Sequence, residues 1–200
     1  MAEHYFTEQP TSDRSIREIT VDIRGFSFRF LTDKGVFSRG KLDRGTRLLI
    51  KTMDLGDARM ILDLGCGYGP IGIVAAKLSP ESQVSMIDIN SRAWELAKEN
   101  IRLNQITNAK VILGNGFEPV QGSVFDLILS NPPIRSGKSV VFSLIQEARE
   151  FLTPGGHLLV VARTKQGSRS ILKHMVTVFD IAEEIEKGGG YRVIKGTRLY

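Results

Sequence analysis

Apolar and polar residues alternate near the start of the chain, and the pattern changes further along. The alternation runs over residues 16–23 and again over residues 26–30, with a glycine between the two runs. This pattern is typical of a β-hairpin with one buried face. Asp43 can then cap a helix that ends near Met53. We therefore expect residues 1–57 to form an N-terminal extension packed on the remainder of the chain.

Beyond this extension, short apolar segments alternate with amphipathic ones, which predicts strands alternating with helices. Such alternation favours a mostly parallel sheet with helices on both faces, and hence one α/β domain over residues 58–200. The predicted strands are 60–64, 83–89, 110–113, 124–129, 157–162, 181–186 and 191–195, and the predicted helices are 71–78, 91–103, 138–152 and 166–179.

Composition adds limits to this picture. The chain has 200 residues, 42% of them hydrophobic, which suits one compact core. It has no apolar run near the ~20 residues that cross a bilayer, and its polar start is not a signal peptide. A single cysteine, Cys66, and no sign of secretion predict a cytoplasmic protein. Three scattered histidines predict no metal site. The net charge of +5 is consistent with a solubility charge or with binding to RNA or DNA.

A glycine-rich turn comes after the first strand of the predicted core. The strand leads through Asp63 to Gly65, Gly67 and Gly69, and a helix starts at Ile71. Glycines let the backbone approach a ligand closely, and a helix N-terminus offers free N–H groups. A glycine cluster alone is also typical of an ordinary strand-to-helix turn. A ligand site is therefore indicated only if other strand ends carry binding residues as well.

The ends of the next two strands carry such candidate binding residues. Asp88 closes the second core strand, 23 positions after Gly65, where a carboxylate can accept the hydroxyls of a ribose. A helix cap is the ordinary alternative for such a residue. After the third strand, Asn115 could meet an adenine edge, with Phe117 as an apolar wall, although a turn without a ligand fits as well. These features indicate a nucleoside-containing cofactor and do not distinguish NAD from S-adenosylmethionine.

The fourth strand end carries the segment Asn131-Pro132-Pro133. Two prolines end the strand and stiffen the backbone, which sets the directions of the Pro132 carbonyl and the Asn131 side-chain oxygen. Two such acceptors can hold one exocyclic amine and turn its lone pair toward an electrophile. An ordinary turn is the alternative. No cysteine follows Pro132, and Cys66 lies in the glycine turn, which argues against cytosine C5 methylation through a thiolate adduct.

Basic residues gather near the strand ends and the C-terminus. They fit phosphate contact combined with stacking on Tyr191, or simply a solvated charged surface. They are Arg135, Lys138, Arg163, Lys165, Lys187, Arg192, Lys195 and Arg198.

The motifs DLGCGYGPIG, MIDIN and NPPIR together resemble class I S-adenosylmethionine-dependent methyltransferases. More narrowly, the chain resembles the small methyltransferase domain of bacterial 16S ribosomal RNA guanine-N2 methyltransferases. GVFS at 35–38 and the D-x-G-[ST] segment at 43–46 are similar to segments that precede that family's catalytic core. NPPIRSGK and TKQG look like its single-domain members. The resemblance spans almost the whole chain, from His4 to Arg192.

This resemblance implies a Rossmann-like, seven-stranded sheet with a reversed last strand and S-adenosylmethionine along its carboxyl edge. Asn115 replaces an aspartate that is common in relatives, and Ile134 stands where many carry an aromatic residue. The implied cofactor contacts are Asp63, Gly65, Gly67, Tyr68, Gly69, Asp88, Ile89, Asn115, Gly116 and Asn131; the catalytic set is Asn131, Pro132 and Pro133; the substrate contacts are Phe37, Ile134, Arg135, Lys138, Lys165 and Arg192.

The favoured function is methyl transfer to an exocyclic amine of an RNA base, with guanine N2 of small-subunit ribosomal RNA as the first choice. RNA, as ribosomal RNA or a ribosomal subunit, is the expected partner, with no membrane. A protein glutamine amide could occupy the same pocket. A nicotinamide-dependent oxidoreductase is disfavoured, because Pro70 stands where G-x-G-x-x-G needs its third glycine. An RNA-binding assembly factor without catalysis is the remaining alternative.

Overall fold

Nine strands and five α-helices make up the part of the chain that the computed structural model describes, which is residues 13–200 apart from the side chain of Arg135. The strands are β1 Arg17–Ile23, β2 Phe26–Thr32, β3 Met60–Leu64, β4 Gln83–Asp88, β5 Ala109–Leu113, β6 Phe125–Ser130, β7 Leu152–Arg163, β8 Ile181–Gly188 and β9 Tyr191–Thr197, and the helices are α1 Arg44–Thr52, α2 Pro70–Leu78, α3 Ser91–Leu103, α4 Lys138–Glu150 and α5 Ser168–Val178.

One seven-stranded sheet forms the centre of the fold, in the order β5-β4-β3-β6-β7-β9-β8. Neighbouring strands are parallel from β5 to β7, whereas β9 runs antiparallel to both β7 and β8. Only the last strand of the chain is therefore reversed within this sheet. This arrangement confirms the predicted α/β class and its mostly parallel sheet. Because the parallel strands end at one edge, the residues that come after them meet there.

Apolar side chains cover both faces of this sheet and define its layers. Along β3, Ile61 faces the cluster that contains residues of α1, α2 and α3, while Leu62 faces the cluster of α4 and α5. Alternate residues of a strand point to opposite faces, so a strand buried on both sides is mostly apolar, and in β3 the buried Asp63 is the exception. Among the described helices, none is long and apolar enough to cross a membrane.

The hairpin β1–β2 packs against α3 rather than joining the main sheet. Asn100 of α3 accepts a hydrogen bond from the Leu31 amide at 2.7 Å and donates to the Leu31 and Tyr68 carbonyls at 3.0 and 2.8 Å. Phe28 and Phe30 are buried in the same cluster as the α2 residues. The hairpin is therefore tied to the glycine-rich turn, and the boundary at residue 57 stays a prediction.

The region between α4 and β7 differs from the sequence-based prediction. Helix α4 ends at Glu150, and Leu152 starts β7, which also includes the segment 153–156. Leu152 pairs with Phe125, but the next pair is Leu127 with His157, so the four residues form a bulge. The bulge holds because the backbones of Gly155 and Gly156 hydrogen-bond with the backbone of Arg198, at 2.7 and 3.0 Å. Pro154 needs no ladder hydrogen bond there.

Candidate active site

A cavity of about 440 Å³ lies at the carboxyl edge of the parallel strands. Loops after β3, β4, β5 and β6 form most of its wall, and the segment before α1 and the adjoining ends of β7 and β9 complete it. Ligands of open α/β sheets bind at this edge, where the strand order reverses. The residues predicted for a site that line it are Phe37, Gly65, Gly67, Tyr68, Asp88, Ile89, Asn115, Gly116, Asn131, Pro132, Pro133 and Ile134.

The glycine-rich turn between β3 and α2 depends on backbone angles that favour glycine. Gly65, Gly67 and Gly69 have φ values of 73°, 58° and 94°. A Cβ on Gly65 or Gly67 would meet nothing within 4 Å, so the cavity is open to a ligand at these two positions. A Cβ on Gly69 would lie 2.6 Å from the Met86 side chain, so this glycine serves packing. Gly69 does not line the cavity.

Asp88, at the end of β4, braces the turn from its side. Its Oδ2 accepts from the Gly67 amide at 2.7 Å and its Oδ1 accepts from the Asn90 amide at 2.9 Å. Burial raises the pKa of this carboxyl group, and hydrogen bonds from the Asn90, Gly67 and Ile89 amides oppose that effect. With these three donors the carboxylate still has an acceptor position for a ligand hydroxyl.

Asp63 lies beneath the turn and outside the cavity wall. Its side chain is fully buried, and its Oδ2 accepts from the Gly72 amide in the first turn of α2 at 2.8 Å. Burial raises the pKa of Asp63 to about 7. Its Oδ1 has no hydrogen-bond partner among the described residues. Asp63 therefore anchors helix α2 and reaches the cavity only through the turn.

The third strand end contributes Asn115 and Gly116 to the cavity wall. Phe117, expected as an apolar wall for an adenine, is instead 1% exposed and stacks on Phe151 with ring centroids 4.5 Å apart. The prediction failed for Phe117 because its side chain turns into the core between the sheet and α4. Asn115 is the residue of this strand end that brings polar side-chain atoms to the cavity wall.

The segment after β6 presents two acceptors to the cavity. Asn131 donates through Nδ2 to Thr46 Oγ1 at 3.0 Å and to Asp43 Oδ2 at 3.4 Å, and no described residue donates to its Oδ1. Since the amide group is planar, fixing the nitrogen also fixes the oxygen. The Pro132 carbonyl accepts from the Ile134 amide at 2.8 Å through a tight turn at Pro133 (φ −74°, ψ 78°). One lone pair of that carbonyl remains for a ligand.

Several polar residues of the wall were not assigned to the site from sequence, and two of them, Asp43 and Thr46, contact Asn131. Asp43 was expected only to cap α1, and Thr46 was not singled out. Asp43 does cap the helix, since its Oδ2 accepts from the Gly45 and Thr46 amides at 2.8 and 3.0 Å. The only sequence signal was the resemblance of residues 43–46 to the D-x-G-[ST] segment.

Several predicted substrate contacts lie away from the cavity wall. Lys138 and Lys165 are exposed, while Arg192 pairs with Glu184 on the neighbouring strand. Arg163 lines the wall, as do Phe37 and Ile134. The backbone of Arg135 lies in a 3₁₀ turn over Ile134–Ser136, and its side chain falls outside the described part of the chain. Within residues 13–200, no group of three or more His, Cys, Asp or Glu residues could hold a metal ion.

The reversed last strand, the glycine-rich turn and the cavity above it define a class I S-adenosylmethionine-dependent methyltransferase fold. The profile of the methyltransferase small domain family matches residues 27–195. The chain belongs to the methyltransferase small domain family, as its motifs indicate. S-adenosylmethionine is the methyl donor of this family.

Individual proteins with similar sequences or structures include ribosomal RNA methyltransferases. The uncharacterized protein YbxB of Bacillus subtilis is 38% identical over the full length of both chains. The ribosomal RNA small subunit methyltransferase C of Haemophilus influenzae is 35% identical over 80% of this chain and 49% of its own length. The chain thus spans about half of that relative. The Thermus thermophilus 16S rRNA N2 G1207 methyltransferase, solved with AdoMet and guanosine, superposes on 94% of this chain and 52% of its own, with a TM-score of 0.81 at 21% identity.

Proposed function

We propose that this chain transfers a methyl group to an exocyclic amine of an RNA base, and that guanine N2 of small-subunit ribosomal RNA is the favoured acceptor. The observation that carries this proposal is the arrangement of Asn131. Its amide nitrogen is held by Thr46 and Asp43, which leaves its oxygen as an acceptor beside the Pro132 carbonyl in the cavity wall. An amine with two N–H groups matches two neighbouring acceptors.

The cavity fits the cofactor of the family. The open space beside Gly65 and Gly67 admits a ligand against the backbone, Asp88 offers lone pairs to ribose hydroxyls, and Asn115 offers an acceptor to an adenine amine. When bound, S-adenosylmethionine supplies an electrophilic methyl group on a sulfonium centre. Asp63 would act on this site only through the turn that it anchors.

The chain's own contribution to the reaction is orientation. Accepting both N–H groups of the amine at Asn131 Oδ1 and the Pro132 carbonyl takes the nitrogen lone pair out of conjugation with the base and directs it toward the methyl group. Such fixed acceptors also stabilise the positive charge that develops on the nitrogen during transfer. The transfer therefore needs no side-chain nucleophile, and burial raises the pKa of the nearby Cys66 thiol well above its usual value, which keeps it neutral.

The cavity mouth supports a nucleic acid base as the acceptor. Phe37, Ile134 and Val140 give it apolar walls, and Arg163 gives it a cation that phosphate can approach. An apolar slot with a basic rim is suited to a base flipped from its stack. The named ribosomal RNA methyltransferases among the relatives support the same substrate class.

The direct test is mass spectrometry of nucleosides from RNA methylated by the purified protein. Small ribosomal subunits, free 16S ribosomal RNA and bulk protein serve as acceptors with labelled S-adenosylmethionine. We expect label in N2-methylguanosine. Label in another base would revise the acceptor, label in glutamine would replace RNA by a protein amide, and no transfer to any of them would contradict the proposal.

Cofactor binding is expected to depend on Asp88. Asp88→Asn keeps the size of the side chain but exchanges an acceptor for a donor, so the Gly67 amide, the Asn90 amide or the ligand loses a hydrogen bond. We expect roughly tenfold weaker binding of S-adenosylhomocysteine, measured by calorimetry. The exposed Asp57→Asn variant carries the same charge change and should bind like the wild type. Equal affinities for the two variants, or tighter binding of NADH by the wild type, would refute the assigned role.

A further inference from the structure

Asn131 is held by a chain of hydrogen bonds that joins distant parts of the molecule. Asp43 lies at its centre, because its Oδ2 caps α1 and accepts from Asn131 while its Oδ1 accepts from the Tyr191 hydroxyl at 3.1 Å. Tyr191 starts β9 and lies 148 positions from Asp43 in the sequence. The contact therefore connects the N-terminal extension to the last strand at the wall of the cavity.

Tyr191 is itself fixed from two sides. Its hydroxyl accepts from Arg163 Nε at 2.8 Å, and the Arg163 guanidinium lies 5.3 Å from the ring centroid. A donor on one side leaves the hydroxyl proton for Asp43 on the other. The residue as a whole is 8% exposed, so little of it meets solvent.

Gly45 makes room for the contact between Tyr191 and Asp43. A Cβ at position 45 would lie 2.6 Å from two atoms of the Tyr191 ring, although the backbone there does not require glycine. Glycine at this position therefore lets the ring approach the first turn of α1. That approach places the hydroxyl against the carboxylate that holds Asn131.

We propose that Tyr191 and Asp43 are positioning residues for Asn131, with Arg163 supporting Tyr191. The chemical consequence of this inference rests on the proposed methyl transfer, while the orientation of Asn131 does not. Without the Tyr191 hydroxyl, the Asp43 carboxylate keeps only its contacts with the helix and Asn131, and it can rotate. The Asn131 amide then keeps its hydrogen bond to Thr46 Oγ1 but loses the fixed second partner that limits its rotation, whereas the turn and Asp88 are untouched.

The test compares Tyr191→Phe with Tyr200→Phe. The second variant is the control, because it also removes a tyrosine hydroxyl, but from a residue that is 77% exposed. The first readout is the side-chain amide signal of Asn131 in ¹⁵N NMR spectra, assigned by its disappearance in Asn131→Ala. We expect Tyr191→Phe to shift this signal and to speed its hydrogen exchange with water. The second readout is methyl transfer, where we expect kcat to fall about tenfold with KM for S-adenosylmethionine within twofold. Tyr200→Phe should match the wild type in both.

A second variant guards against a general folding defect. Arg163→Gln alters an exposed side chain and leaves the Tyr191 ring and hydroxyl in place, so it should shift the Asn131 signal in the same direction by less. An unchanged Asn131 signal in Tyr191→Phe would overturn the inference, as would a shifted signal with unchanged kcat. A shifted signal in a protein whose wild type methylates none of the acceptors would instead refute the proposed function and leave the positioning of Asn131 established.

Discussion

Replacing Asn131 by alanine is expected to lower methyl transfer at least a hundredfold while leaving S-adenosylhomocysteine affinity within about threefold. Alanine removes the side-chain acceptor and leaves the amine with the Pro132 carbonyl alone. The other half of the cavity, formed by the glycine-rich turn, Asp88 and Asn115, keeps its contacts. Labelled transfer and calorimetry on the same preparation measure the two effects separately.

A polar-to-alanine change close by provides the control for that experiment. Ser139 lies in the first turn of α4 and is exposed, so Ser139→Ala should transfer at the wild-type rate. Asn131→Ala with wild-type transfer would rule out the mechanism. A parallel loss of cofactor binding would mean that Asn131 serves the cofactor more than the amine.

The second large effect concerns stability and its dependence on pH. The difference in unfolding free energy between Asp63→Asn and the wild type is expected to change with pH. It should shift in favour of the variant by roughly 3 kcal/mol when the pH is raised from 5 to 8. The reason is that burial raises the pKa of Asp63 to about 7 in the folded protein. Asparagine keeps an acceptor for the Gly72 amide but cannot ionise. Urea unfolding of both proteins at the two pH values gives the comparison.

The sign is set by the two states of Asp63. Below the ordinary pKa of an aspartate, about 4, the carboxyl is protonated in both the folded and the unfolded chain. As the pH rises to about 7, the unfolded chain loses this proton first, so the wild type loses stability over that interval. Above pH 7 Asp63 is ionised in both the folded and the unfolded chain, and the wild type loses no further stability from this group.

Asp126 offers a control of opposite sign. Burial would raise the pKa of its carboxyl, but hydrogen bonds from the Met60 and Arg59 amides and from Thr153 outweigh this and lower it. Its stabilising contribution is present above the ordinary pKa and is lost only in acid. Asp126→Asn should therefore differ from the wild type by a constant amount between pH 5 and pH 8. A constant difference for Asp63→Asn as well would show that Asp63 is already ionised at pH 5.

Strand ends were the most predictable part of this molecule. Apolar segments bounded by glycine and proline mark buried parallel strands, and the rule that ligands bind beyond their carboxyl ends brings Gly65, Asp88, Asn115 and Asn131 to one edge. The structure places all four in the wall of one cavity. Their roles toward cofactor and substrate stay predictions.

Side-chain direction was the less predictable part. Arg192 adjoins Tyr191, yet successive residues of a strand point to opposite faces, so Arg192 turns to Glu184 while Tyr191 closes the cavity. Charge clustering in the sequence carries no such information. The contact of Tyr191 with Asp43 could not be foreseen either, because it joins two segments with no shared periodic pattern.

The position of β9 between β7 and β8 has a consequence for how the protein is made. A chain that has left the ribosome only as far as residue 190 has no partner for β8 and exposes the edge of β7, which is the situation that promotes wrong strand pairing. It also lacks Tyr191, and with it one wall of the cavity. Synthesis of β9 thus joins β8 to the sheet and adds Tyr191 to the cavity wall in one step, so a chain that stops before β9 lacks the finished site.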